Sequence, residues 1–312
     1  NGNHEYCGHD QNANQSVSAK HLNANWRRKG NPKSVKSLFF CNCVRRPPGL
    51  LKPFLLSLLF MSTLAVRSSP TTNPALHWSQ LPPLPDALGV AGAFAGVSDG
   101  TLLVAGGANF PDKMPWAGGQ KIWHDEVYAL TGMNGSWKLV GQLPRPLAYG
   151  VSVTTPAGLV CLGGSDAGRH YPDVFRLNFR DGKLSVQPLP RLPVPLADAA
   201  GALAGSTIYV AGGSEKPGEQ SALNQCFTLD LAAKNPAWTR LPPCPGKARI
   251  LPVAAVAGEI FYLFGGAALE PVNGKVVRVY LRDAWRYEPE HGWQRLADLP
   301  NPCVAGPTPA PE

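Results

Sequence analysis

"TLLVAGG", Thr101–Gly107, is the stretch on which the fold turns. Four aliphatic and small residues, too few for a helix, run into two glycines. A loop of Asn, Pro, Lys and Trp follows, and the chain returns to a strand-like run at "DEVYAL", 125–130. The same pattern recurs: "GLVCLGG" ends at Gly164, "TIYVAGG" at Gly213 and "IFYLFGG" at Gly266, in steps of 57, 49 and 53 residues. Before each lies a Leu-Pro element: "WSQLPPLP", "WKLVGQLPRP", "VQPLPRLPVP" and "WTRLPPCPGKAR". After each comes a further strand-like run: "DEVYAL", "DVFRL", "QCFTLDL" and "DAWRY". Trp137, Trp238 and Trp293 then open the next segment, and a fifth unit begins with "WQRLADLPNPCVAGPTPAPE".

Each unit supplies four short strands in about 50 residues, the period and punctuation of kelch repeats. The reading is all-β: a kelch-type β-propeller over residues 75–312, with about four complete four-stranded blades and a partial fifth. Composition agrees, with 33 Gly, 32 Pro and only 16% charged residues; such chains favour many short strands and tight turns. Paired glycines suit a place where strands converge on an axis, because a residue without Cβ permits close backbone approach and positive φ.

The net charge of +8 belongs to one end. Ten Lys/Arg and two Asp/Glu lie at or before Arg67, and the rest of the chain carries nineteen of each. A neutral repeat region gives no reason to expect a nucleic-acid partner. Residues 1–48 read as a disordered, basic extension. Residues 49–68 resemble a signal peptide: Arg45, Arg46 and Lys52 lead into an apolar run, 54–66, with small residues after it. That run is shorter than the roughly 20 residues of a membrane span, so the expectation is export to the periplasm or the exterior, with no stable span. Of the seven cysteines, Cys161 and Cys226 replace apolar residues inside strand-like runs, where free Cys acts as a small hydrophobe. No spacing indicates a disulfide framework or a zinc site.

If strand one follows the Leu-Pro element and strand two ends at Gly-Gly, the loops on either side open on one face. Asn109, Lys113, Trp116, Lys121, Trp123 and His124 then ring a channel mouth with Arg145, Tyr149, Asp198, Glu215, Lys216 and Arg249. Aromatic faces beside Asn, Lys and Arg suit a sugar, stacking on its C–H face and binding its hydroxyls or a carboxylate. Substrate contacts are expected from Asn109, Lys121, Trp123, Arg145, Tyr149 and Arg249. Trp116 and Trp123 are expected to pack the long loop. Scattered single histidines and the absence of nucleotide or hydrolase fingerprints point to neither metal nor cofactor.

Two stretches carry a resemblance. "LGVAGAFAGVSDGTLLVAGGANF" with "PLAYGVSVTTPAGLVCLGG" is similar to the N-acetylneuraminate epimerase (sialic acid mutarotase) family, in its cyclically permuted branch; "QCFTLDLAAKNPAWTRLPPCP" through "IFYLFGG" resembles early blades of unpermuted relatives. The resemblance covers about Ala75 to Glu312. It implies a six-bladed propeller, without cofactor, that interconverts the α and β anomers of sialic acid. It also implies a catalytic Glu followed six residues later by Arg in "GE-x-KPG-x-R". Here "GGSEKPGEQS" supplies Glu215, Lys216, Pro217 and Gly218, but Ser221 stands at the Arg position. Blade order also assigns this loop to a different blade and places the blade of the pair beyond Glu312, so the catalytic pair is unknown, with Glu215 the candidate, and the expectation is that these 312 residues lack the catalytic blade and are inactive by themselves. The alternative is a non-catalytic kelch propeller that binds a glycan or a protein partner. Blade counting further predicts that these 312 residues do not close a propeller; oligomeric state is open.

Overall fold

The computed structural model describes residues 79–306 except Glu219. The basic extension, the signal-like segment, Cys7, Cys41, Cys43 and the last six residues lie outside the described residues. Alternating aliphatic residues form strands that pair with their sequence neighbours, and the order gives four blades. The first contains β1 (Phe94–Ser98), β2 (Thr101–Ala105), β5 (Glu126–Thr131) and β6 (Lys138–Gln142), with a small hairpin, β3 (Ala108–Asn109) and β4 (Ile122–Trp123), inserted after β2. The second is β7 (Val151–Thr155), β8 (Gly158–Leu162), β9 (Val174–Arg180) and β10 (Lys183–Leu189). The third is β11 (Ala197–Ala204), β12 (Thr207–Ser214), β13 (Cys226–Asp230) and β14 (Trp238–Leu241). The fourth has β15 (Val253–Ala257) and β16 (Ile260–Phe264), then an inserted hairpin of β17 (Ala267–Val272) and β18 (Lys275–Tyr280), then β19 (Ala284–Glu288) and β20 (Gly292–Arg295). Every pairing is antiparallel. This is the expected kelch-type propeller, with four complete blades; the Trp293 segment that opens the fifth unit pairs as β20 of the fourth blade, and the described residues after Arg295 form no strand.

The first strands of successive blades lie against one another, β1 with β7, β7 with β11 and β11 with β15. Each seam between blades is a separate apolar core. Phe94, Leu103, Leu159 and Phe175 fill the first seam, Val153, Leu162, Leu196 and Ile208 the second, and Tyr209, Cys226, Phe261 and Tyr287 the third. Rings meet edge to face at Phe94–Phe175 and stack at Tyr209–Phe261. A strand between two seams is buried on both faces, which is why β8 is buried at all five positions, whereas β1 in the first blade is buried only at Phe94 and Ser98. Cys161, Cys226 and Cys244 are buried free thiols inside these seams, and burial pushes the Cys161 and Cys226 thiols up in pKa. Such thiols pack rather than react.

The glycine pairs sit at the seams. Gly163 donates to Asp173 O inside its blade, and Gly164 donates to Leu196 O, in the lead-in to the next blade, both at 2.8 Å. The corresponding second glycines, Gly107, Gly213 and Gly266, donate to Leu147, Arg249 and Cys303. A Cβ on Gly163 would come to 2.1 Å from Leu196 O. The pair is thus a stitch between blades as well as a turn.

A second set of backbone bonds runs closer to the axis. Tyr149 N–H donates to Gly92 O, Asp198 to Tyr149 O, Leu251 to Asp198 O and Ala305 to Leu251 O, at 2.7–2.9 Å. Gly92, Tyr149, Asp198, Leu251 and Ala305 all have positive φ, between 51° and 65°. One residue per unit forms a staircase from blade to blade, and the fifth unit takes its step through Ala305. The Leu-Pro and Trp signals pair as well: Trp137, Trp238 and Trp293 donate their indole N–H to Pro82, Pro190 and Pro242 carbonyls, at 2.8–2.9 Å. Each Trp pins the Leu-Pro element that leads into its own blade.

Candidate functional site at the propeller mouth

The loops after the glycine pairs, together with the staircase residues, form one face. Two of the staircase positions carry polar side chains, Tyr149 and Asp198. Lys121 reaches Tyr149 from the first blade's long loop: its Nζ donates to the phenol oxygen at 3.1 Å. The same ammonium lies over the rings of Tyr149 (5.0 Å), Phe110 (5.5 Å) and Trp123 (5.6 Å). Contact with three aromatic faces holds the ammonium in position. Trp123 is partly buried and its indole N–H has no protein partner.

Asp198 is partly accessible at the axis, yet protein surrounds it on most sides. That desolvation pushes its carboxyl pKa up, against the opposing pull of His170, Arg278 and Lys121. His170 is buried, with Nδ1 3.0 Å from Ser214 O. Ser214 in turn pairs with Ala197, the neighbour of Asp198. Arg278 comes from β18 of the inserted hairpin.

Away from the axis, a cleft of about 470 Å³ lies between the first and second blades' loops, lined by Trp123, Pro146, Tyr171 and the turn from Asp166 to Arg169. Arg145 and Arg169 stack on the Tyr171 ring at 4.4 and 4.8 Å. Asp166 accepts from Tyr171 Oη and from the Gly168 and Arg169 amides. Burial alone would raise its carboxyl, but those bonds outweigh burial and hold it below the usual range. Arg145 also pairs with Asp173 at 3.3 Å, and Arg191 shares that carboxylate at 3.0 Å.

The structure divides the expected contact residues. Lys121, Trp123 and Tyr149 come together at the mouth. Arg145 lies beside the outer cleft. Asn109 spends its amide on the loop: Nδ2 donates to Asp86 Oδ2 and Gly89 O, and Oδ1 meets His124 Nε2 at 2.9 Å. Arg249 is 1% exposed. Its guanidinium binds Asp283 at 2.7 and 2.9 Å and the carbonyls of Gly265 and Lys247. It is a clamp within the fourth blade rather than a group facing the mouth, because its donors are consumed inside the protein. Glu215 directly follows β12 and is partly exposed; Lys216 is exposed. Trp116 is corrected outright: at 76% exposure it packs nothing. His170, Arg278 and Tyr171 escaped the sequence reading. Only Arg278 left a clear signal, "PVNGKVVRVY", where Asn-Gly between alternating apolar residues marks a hairpin. Among the described residues, no three His, Cys, Asp or Glu side chains gather to hold a metal, and no helix is long and apolar enough to cross a membrane.

The fold and the polar, aromatic mouth define a kelch-type propeller with a face suited to a small polar ligand. The profile of the N-acetylneuraminate epimerase family matches residues 60–186 and 189–308, and the chain belongs to that family. N-acetylneuraminate epimerases of Salmonella arizonae and Brucella suis are each 43% identical to it, over 131 and 129 residues. Those alignments cover 37% and 36% of this chain and 33% of either relative, so the chain spans about a third of the length of the curated relatives it matches. A solved structure titled "Structure of YjhT" superposes with a TM-score of 0.63 at 18% identity, covering 74% of this chain and 76% of that one. That likeness concerns the fold alone.

Proposed function

We propose that this chain takes N-acetylneuraminate at its mouth and interconverts the α and β anomers. The observation that carries the reading is the Lys121 ammonium, held by Tyr149, Phe110 and Trp123 on the axial face of a chain of this family. An ammonium there pairs with the sugar's carboxylate, and the aromatic faces receive its C–H surface. Anomer exchange needs a proton taken from the anomeric hydroxyl and one given to the ring oxygen. No metal, hydride or phosphate chemistry enters that reaction. Export to the periplasm or exterior is part of the proposal, supported by the basic-then-apolar segment at 49–68.

Magnetisation transfer between the two anomers, observed by NMR on purified chain, tests the reading. Exchange well above the spontaneous rate is expected, and Lys121→Ala should weaken binding of the sugar acid by about tenfold or more, the loss of one charge-assisted contact. Spontaneous exchange alone would remove the catalytic reading. A second reading, a propeller that binds a glycan or protein without turnover, is favoured by Ser221 at the position of the motif's Arg. It predicts saturation transfer from protein to sugar with no anomer exchange.

A further inference from the structure

The axial carboxyl has no role in the family motif discussed above, yet its setting suits one. The staircase fixes Asp198 by two backbone bonds, its N–H to Tyr149 O at 2.9 Å and its carbonyl from Leu251 N–H at 2.7 Å. Its left-handed backbone, φ 57°, is one that Asp and Asn tolerate better than other side-chain-bearing residues. On one side Tyr149 holds Lys121. On the other, Ser214 holds His170 beside Ala197. Arg278 acts on the carboxyl from the inserted hairpin.

We propose that Asp198 is the proton-transfer group of this mouth, a single carboxylic acid serving both oxygens of an anomeric centre at once. The proposal rests on the anomer-exchange reading above. The acid's O–H gives its proton to the ring oxygen while its carbonyl oxygen takes the proton of the anomeric hydroxyl. The bond from anomeric carbon to ring oxygen breaks, and its electron pair stays on the ring oxygen. The electron pair of the former O–H bond becomes the second bond of a ketone. The carboxyl ends protonated on its other oxygen, so no net proton, oxidant or reductant is needed. Rotation about the bond from the ketone carbon to its neighbour presents the opposite face, and the reverse transfer closes the ring as the other anomer.

The surroundings favour the protonated form. Desolvation raises the carboxyl's pKa. A sugar carboxylate that engages Lys121 also offsets part of the cationic field opposing that rise. The rate therefore falls as pH increases through the pKa of Asp198, because the acid form is the active one.

The test compares wild type, Asp198→Asn and Asp198→Gly, both replacements being compatible with the left-handed backbone. Anomer exchange is followed by magnetisation transfer and sugar binding by saturation transfer, from pH 4 to 8. The expected result is an exchange rate lower by about 100-fold in both variants, the usual scale of acid–base catalysis. Binding should stay within about twofold, and the fall in rate with rising pH should vanish. Unchanged rates and pH profiles in folded variants, beside an active wild type, overturn the proposal and leave the anomer-exchange reading intact. A wild type that binds the sugar without exchanging it overturns both.

Discussion

At the scale of single residues, two basic side chains have two fates decided by burial. Lys121 stands at the mouth bonded to Tyr149, whereas Arg249 is enclosed and paired with Asp283. Burial alone would raise the Asp283 carboxyl, but bonds from Arg249 and the Trp285 indole outweigh it and hold the pKa below the ordinary value. A depressed carboxylate adds stability above its unfolded pKa of about 4 and loses it as pH falls through the folded value. Arg249→Ala leaves a carboxylate with 16% exposure unpaired; the expected cost is about 3–5 kcal/mol. Urea titrations at pH 7 and pH 3 check both points, since the gap between wild type and variant should narrow at the lower pH. Nothing in "PGKARI" distinguishes this arginine from a surface one. Its partner lies 34 residues later, and only the blade's pairing brings them together. The staircase was no more legible: Tyr149 and Asp198 stand third after Pro146 and Pro195, but Leu251 stands sixth after Pro245, and the positive φ that Tyr, Asp and Leu share here leaves no trace in residue type.

At the scale of elements, the four Gly-Gly strands and their Leu-Pro and Trp companions were readable because their causes are local or periodic. Two glycines mark the stitch, and the indole finds a Pro carbonyl about one repeat earlier, between 48 and 55 residues away. The stitch itself is testable. Gly163→Ala puts a methyl 2.1 Å from Leu196 O at φ 64°. Left-handed strain and overpacking together should cost about 2–4 kcal/mol. Chemical denaturation measures this, and a shift under 1 kcal/mol would mean the seam yields. The insertions were less legible. The loop after Gly107 folds as a short hairpin, β3 with β4, around a single 3-10 turn at Pro115–Ala117. No periodicity can announce strands of two residues.

At the scale of the whole molecule, charge is unevenly distributed along the chain. Every unit of the net charge of +8 is accounted for by Arg67, and the repeats are balanced. Export with cleavage near Val66 to Pro70 would thus remove the basicity along with the leader. The mature protein should focus near neutrality instead of near the full chain's pI of about 9.2. Isoelectric focusing of exported material, with sequencing of its N-terminus, reads both changes; full-length basic chain in the cytosol would contradict export. Cooperation between blades comes from the three seam cores, so each blade depends chiefly on its immediate neighbours.

The backbone staircase has an electrostatic consequence. In an α-helix, peptide dipoles add along the axis and leave a partial charge at each end. Here each N–H points to the carbonyl of the preceding blade, from Ala305 back to Gly92. The dipoles therefore follow one another around the channel instead of along it, and their contributions along the channel do not accumulate. The staircase itself therefore adds no steady pull on an anion approaching the mouth. Discrimination by charge falls to the side chains there, Lys121 and Arg278 against Asp198, and can be retuned at Lys121 or Arg278, neither of which supplies a backbone bond of the staircase.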